Sequence, residues 1–411
     1  MRMQVYFFIT ALLTLISHNA YPAEEDAILT AIKSINYVSK HEQDVWPNFK
    51  IDTIPIFIYF ENNEHSYAYH FKPKNKQWKQ LTIDNTPIFF MGNDAFNFKN
   101  SLEDFQTVDG NLSYIFNFVD YESEYSIHFS IRNLINRRFS FYLTKESKFP
   151  KNMFAHWDTE YAGFNEMANV EYIYLEAEEL KSFLAKKNIE SLKNYLAIHH
   201  LRHSIINKNS AAYENIAEIR FGMGAYVGYK ALNINEDKYL QEALSTYQNN
   251  LMCPSYETLQ QIEYCTSLAH YYLTGPSLGY ALDKAQGNTW KSEIDNSGVT
   301  PQALLEKVYP MNDNEITQRI EQSKKIHHFE IIKQKIETKM KYYLSEMQSQ
   351  QANFTKESGI KINIDYRYCK PTKYTDKFRE EFVISNRQTL YTYYNMLLEC
   401  NNNGSKITLE F

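Results

Sequence analysis

His156 and Glu160 stand four residues apart in Phe154-Ala155-His156-Trp157-Asp158-Thr159-Glu160-Tyr161. On a helix this spacing aims both side chains at one point. An imidazole nitrogen and a carboxylate oxygen so placed can bind zinc if a third ligand arrives from another element. Glu218, within the downstream helical stretch Tyr213 to Leu232, could supply that third oxygen. A metal-bound water would then need a base beside it, in the position after the histidine. That position holds Trp157, whose indole N–H donates and cannot take up a proton. The alternative is a set of helix residues with ordinary hydrogen bonds.

His199 and His203 repeat the spacing in His199-His200-Leu201-Arg202-His203, with no third ligand nameable from the sequence. Here too the alternative is plain variation, on a helix surface. Hydroxyls at Tyr226, Tyr271 and Tyr272 could act as oxyanion donors beside a cleft. Gly222-Met223-Gly224 has too few glycines to cradle phosphate and reads as close helix packing.

These stretches resemble an uncharacterised bacterial family of gluzincin-like zinc peptidases, whose active-site helix is of the thermolysin type. His156 matches the first ligand position, Glu160 stands at the second and Trp157 at the base. The family's Glu-Gly-Leu-Ala-x-Tyr-Val pattern reads Phe221-Gly222-Met223-Gly224-Ala225-Tyr226-Val227, so Phe221 replaces the ligating Glu. Glu218 lies one turn earlier, on roughly the same face. Further anchors are Asp44-Val45-Trp46-Pro47-Asn48-Phe49, Ile54 to Tyr59, Tyr272-Leu273-Thr274-Gly275, Tyr280-Ala281-Leu282-Asp283 and Trp290-Lys291. The resemblance implies a sheet followed by active-site helices, with a degenerate metal site. The expected function is a peptidase-like protein without catalysis that keeps its cleft to bind peptide or protein. No cofactor is expected, with zinc the one possible. One competing expectation is a rewired zinc hydrolase using His156, Glu160 and Glu218; another is an assembly protein docking through a long helix.

The elements that must position these residues start after residue 23. Residues 1–23 carry Arg2 and an apolar run from Val5 to Ile16, too short to span a bilayer comfortably, as in a signal peptide. Export to the periplasm or beyond is therefore expected, with no transmembrane segment in the mature chain. An oxidising compartment lets Cys253, Cys265, Cys369 and Cys400 pair. Proximity favours Cys253 with Cys265 and Cys369 with Cys400, with the other connectivities open. A net charge of -6 and pI near 6.1 argue against nucleic acid as a partner. Oligomeric state is not set by the sequence.

Helical spacing marks residues 25–41, and short β-branched or aromatic runs mark strands at 54–60, 67–71, 87–91 and 112–119. Alternation at Ile127, Phe129, Ile131 and at Phe139, Phe141, Leu143 extends the sheet through 126–143, around a turn at 133–137. Helices are expected at 167–186, 189–206, 213–232, 238–249 and 256–273, then one long helix at 312–350. Strands close the chain at 360–368, 382–384 and 407–411. The predicted class is α+β. An N-terminal mixed region with a sheet (24–150) precedes a mainly helical peptidase-like core (151–350) and a small C-terminal β element (351–411).

Overall fold

The computed structural model describes residues 22–60, 65–74, 78–92, 105–118, 123–156, 167–250, 270–338 and 341, and the backbone of six short strands within 362–410. The fold is α+β, a six-stranded sheet followed by helices.

Helix α1 (Pro22–Lys40) buries Ile28, Ile32 and Ile35 along one stripe, with Glu24 and Glu25 in its first turn and Lys40 in its last, each complementing the helix dipole. One helical turn (Glu42–Val45) then leads into the sheet. Its strands are β1 (Ile56–Phe60), β2 (His65–Tyr69), β3 (Lys79–Ile83), β4 (Thr86–Gly92), β5 (Phe105–Val108) and β6 (Asn111–Phe118), ordered β3-β4-β2-β1-β6-β5. Only the β1–β6 pair is parallel. β1 is buried throughout because it packs on both faces. Ile56, Ile58 and Phe60 join the main core, while Phe57 and Tyr59 meet Phe71, Trp78 and Met91 on the other side. Asp84-Asn85 and Asp109-Gly110 close the β3–β4 and β5–β6 hairpins with both residues at positive φ, as a two-residue loop needs.

Residues 126–143 do not extend the sheet. They lie mostly in helix α2 (Glu124–Phe141), which runs on into a π turn (Tyr142–Glu146). Ser123 starts the helix through a reciprocal capping box with Ser126. The alternation was half of a longer pattern: Ile127, Ile131, Ile135 and Phe139 share one buried face, joined by Leu134, while Phe129 is 42% exposed.

The helices that follow are α3 (Met167–Lys186), α4 (Ile189–Ile205), α5 (Lys208–Ala217), α6 (Met223–Ala231), α7 (Glu236–Asn250), α8 (His270–Gln286), α9 (Thr289–Ser297), α10 (Pro301–Val308) and α11 (Asp313–Ile326). The expected long helix is broken. α11 ends at Ile326, His328 takes the left-handed conformation at φ 51°, and helix resumes over 329–338. At the C-terminus β7 (Ile362–Ile364), β8 (Phe378–Arg379), β11 (Met396–Cys400) and β12 (Ile407–Glu410) form a sheet ordered β7-β12-β11-β8; β9 (Phe382–Asn386) and β10 (Thr389–Tyr393) form a hairpin. Among the described residues no helix is long and apolar enough to cross a membrane.

Residues far apart in sequence, from Asp44 to Lys291, meet at Asp283. Its Oδ2 accepts from Tyr226 OH at 2.7 Å and its Oδ1 from Trp290 Nε1 at 3.2 Å. Lys230 Nζ stands 3.4 Å from Oδ2, and Lys291 Nζ 3.7 Å from Oδ1. Lys291 is fully buried and also donates to Asn288 Oδ1 at 2.9 Å and to the Asp44 carbonyl. Burial pulls its pKa down to about 8, against the opposing pull of Asp283. Trp46 meets Trp290 edge-on, with ring centroids 5.5 Å apart, and donates to Asp295 Oδ1 at 3.1 Å. This knot ties the segment before the sheet to α6, α8 and α9.

Candidate functional site

The run 208–231 forms one continuous rod: α5, a π turn (Glu218–Gly222) and α6. In the π turn the Met223 amide donates to Glu218 O, five residues back. Glycines let neighbouring helices touch the rod's backbone. A Cβ on Gly224 would lie 1.8 Å from Asn136 Oδ1 of α2, and one on Gly228 2.9 Å from the Arg132 carbonyl. On α8, a Cβ on Gly275 would lie 1.9 Å from the Gly222 carbonyl. The close-packing expectation for Gly222 and Gly224 therefore holds, and it fixes the rod between α2 and α8.

Glu218 faces the core at 2% exposure. Its Oε2 accepts from Thr274 Oγ1 at 2.6 Å and from Gln302 Nε2 at 3.0 Å. Gln302 Nε2 also donates to Tyr195 OH at 3.2 Å. Burial pushes the Glu218 carboxyl up to about 8, with the Thr274 and Gln302 hydrogen bonds opposing and the charges of Glu176 and Glu214 adding. It therefore carries its proton at neutral pH. Phe221, three residues on, has other surroundings: it packs with Tyr213, Ala217 and Tyr271, its ring 5.8 Å from that of Tyr272. The wider π turn separates the two side chains, so Glu218 does not fill the place of Phe221.

On the next turn back the second histidine pair comes into the core. Arg202 Nε donates to Glu176 Oε1 at 2.8 Å, and its Nη1 to Glu214 Oε1 at 2.8 Å and Asn169 Oδ1 at 3.0 Å. His199 Nδ1 lies 3.3 Å from Glu176 Oε1, His203 Nε2 3.0 Å from Glu214 Oε2, and His270 Nε2 3.6 Å from Glu176 Oε2. Burial pulls His199 down to about 4, the neighbouring His203 adding to it. For Glu176, burial opposes ionisation, but the Arg202 guanidinium and the two histidines outweigh it and hold the carboxyl well below its usual range. His199 and Glu176 are buried, so this pair is not surface variation.

Glu218 Oε2 is already engaged by Thr274 and Gln302, and the His156 side chain and Glu160, its expected partners in a metal site, lie outside the described residues. Around His199 and His203 the cation between the carboxylates is Arg202 itself, which would repel a dication. Among the described residues no three His, Cys, Asp or Glu side chains gather as a metal site requires.

Beside the π turn lies a cavity of about 620 Å³, walled by α2, β5 and α8. Phe105 stacks on Phe141 with centroids 4.2 Å apart on one side, and Phe221 and Tyr272 form the other. Arg220 also lines it, its Nε donating to Ser140 Oγ at 2.6 Å and its guanidinium 5.2 Å from the centre of the Phe221 ring. Burial lowers the Arg220 pKa, while Tyr272 and Tyr213 raise it. Arg137 is a second, exposed cation on the wall.

Of the other predicted site residues, His156 ends a short 3₁₀ helix (Lys151–His156) packed against α5. Its side chain lies outside the described residues, as do Trp157, Glu160, Cys253, Cys265 and Cys369 entirely. Cys400 ends β11, where only the backbone is described. Tyr226 is committed to Asp283, Tyr271 is buried, and Tyr272 lines the cavity.

The sequence reading missed one constellation. His128 Nδ1 lies 2.6 Å from Glu242 Oε1, and Arg132 Nη1 donates to Glu242 Oε2 at 3.0 Å. Arg132 also stacks on the Tyr229 ring, 4.1 Å from its centre. The four-residue spacing of His128 and Arg132 was visible, but reading the segment as a strand concealed it. In comparisons with known proteins the chain matches no family model, no curated protein and no solved structure.

Proposed function

We propose that this chain is an exported, peptidase-like protein without hydrolytic activity, which holds a peptide or a protein segment in the cavity beside the π turn. One observation carries the proposal. Where the resemblance places a ligating carboxylate, the Phe221 ring instead builds the cavity wall with Tyr272. The nearest substitute, Glu218, is protonated and turned into the core. Trp157 at the base position adds to the loss, since an indole cannot activate water. The meeting of Asp44, Trp46, Tyr226, Asp283, Trp290 and Lys291 in one knot supports a scaffold shared with the family, because these stretches carry the resemblance. An aromatic cavity of this size suits side chains of a bound segment.

The test is a peptide array probed with the purified mature chain, followed by anisotropy titration of the best binders. Tyr272→Ala, which opens the wall, is expected to weaken binding by roughly tenfold, as loss of an aromatic contact does. Peptide cleavage detected by mass spectrometry, abolished by a chelator and by Glu218→Gln, would overturn the proposal in favour of the rewired hydrolase. Export is tested by N-terminal sequencing of the protein from cell fractions, where an intact residue 1 would remove that part.

A further inference from the structure

We infer that the π turn is a proton-held latch on the cavity: a neutral Glu218 clamps the turn against α8, and loss of its proton releases the turn together with the wall that Arg220 and Phe221 build. All three residues belong to the same turn, Glu218 facing the core and the other two lining the cavity. The latch does not depend on what the cavity holds.

The carboxyl is satisfied on one oxygen only. Oε2 accepts from Thr274 Oγ1 at 2.6 Å and from Gln302 Nε2 at 3.0 Å, while Oε1 is buried without a hydrogen-bond partner. Oε1 is packed where the rod crosses α8: a Cβ on Gly222 would come 2.0 Å from it and 3.3 Å from Gly275 Cα. A carboxylate there would spread its charge onto an oxygen that meets no donor, and a buried charge is costly without one. The groups around it, among the described residues, act in the same direction. Glu176 of α3 and Glu214 of α5 repel a third negative charge, and the phenol of Tyr195 on α4 also faces it. Arg202, His199 and His203 of α4 and His270 of α8 are turned to those two carboxylates. To Glu218 itself α8 and α10 present the neutral Thr274 and Gln302. Once ionised, the side chain is stabilised by reaching water, and the irregular turn that carries it is the element placed to yield.

Hydrogen–deuterium exchange followed by mass spectrometry, on the purified full chain and on Glu218→Gln at pH 6.5, 7.0, 7.5 and 8.0, tests the latch. The two proteins are compared at equal pH, so intrinsic exchange rates cancel. Glutamine keeps the neutral shape and cannot titrate. The amides of 213–227 and 270–276 are expected to exchange through an opening that leaves β1 (Ile56–Phe60) protected. Their exchange in the parent should rise over that in the variant by roughly tenfold from pH 6.5 to 7.5, because the opened turn has released the proton that the closed turn keeps. The rise should level off near pH 8. Equal pH dependence in parent and variant would overturn the latch. So would 213–227 exchanging no faster than β1, since Glu218 would then act only on the stability of the whole fold. If Glu218→Gln does not fold, the parent series decides: protection across 213–227 that stays constant from pH 6.5 to 7.5, after correction for intrinsic rates, overturns it.

Discussion

Replacing Glu218 by glutamine isolates the protonated carboxyl in the core. Glutamine has the shape of the neutral acid and keeps an oxygen for Thr274 and Gln302, but it cannot titrate. The parent carboxyl titrates near 4.5 in the unfolded chain and near 8 in the fold. Between those values the unfolded chain has released its proton while the folded chain retains it. The parent therefore loses stability as pH rises through this window, by about 1.4 kcal/mol per pH unit, and the loss levels off above it. From pH 5 to pH 8 the variant should gain on the parent by ~4 kcal/mol, an upper figure if the fold relaxes around the ionised acid. Urea unfolding of both proteins at pH 5, 6, 7 and 8 measures the difference, and other titrating groups cancel between them. A difference that stays constant across the series would refute the assignment of a buried neutral acid at Glu218.

His199, pulled down to about 4 from 6.5, contributes in the opposite sense: its stabilisation is present above pH 6.5 and is lost as pH falls toward 4. His199→Gln should therefore gain on the parent by ~3 kcal/mol over that fall, read by the same unfolding series. Arg202→Met leaves Glu176 and Glu214 buried without their shared cation and should cost about 3–5 kcal/mol at pH 7. Adding Glu214→Gln should recover part of that loss in chemical denaturation. Gly275→Ala drives a methyl into the Gly222 backbone and should cost at least ~1–3 kcal/mol, lowering the melting temperature. Gly287→Ala meets open space and should cost only ~1 kcal/mol, for its φ of +62°.

The sheet and most of the core helices were legible because their periodicity is uninterrupted. α3 matches its expected bounds, and the central strands lie within a few residues of theirs. β3 went unseen because Lys-Gln-Leu-Thr-Ile, largely exposed, carries no apolar run, although Asp84-Asn85 after it is a hairpin signal. α2 was misread because exposed Phe129 supplied the missing beat of a period-two pattern. The break at His328 has neither Pro nor Gly to announce it. At the candidate site, Glu218 was legible as a notable residue, but its neighbours were not. Thr274 and Gln302 lie 56 and 84 positions away, and no local pattern links them. His199 and His203 were visible as a pair, whereas Glu176 and Glu214, which draw them inward, come from two other helices.

In the arithmetic of the helix, the π turn at Glu218–Gly222 is one residue too many. Each residue of an α-helix advances by about 100°, so an insertion re-phases everything after it by that amount. Downstream of this turn stand Gly224 and Gly228, whose bare faces must meet α2, and Tyr226, whose hydroxyl must reach Asp283. Deleting Ile219 would let the rod close into regular α-helix and swing all three off their targets, in addition to removing one buried side chain from the core. Insertions and deletions here therefore act on alignment between helices, so length at this turn is constrained alongside the bare backbone of Gly222, where a Cβ would meet Glu218 Oε1 and Gly275.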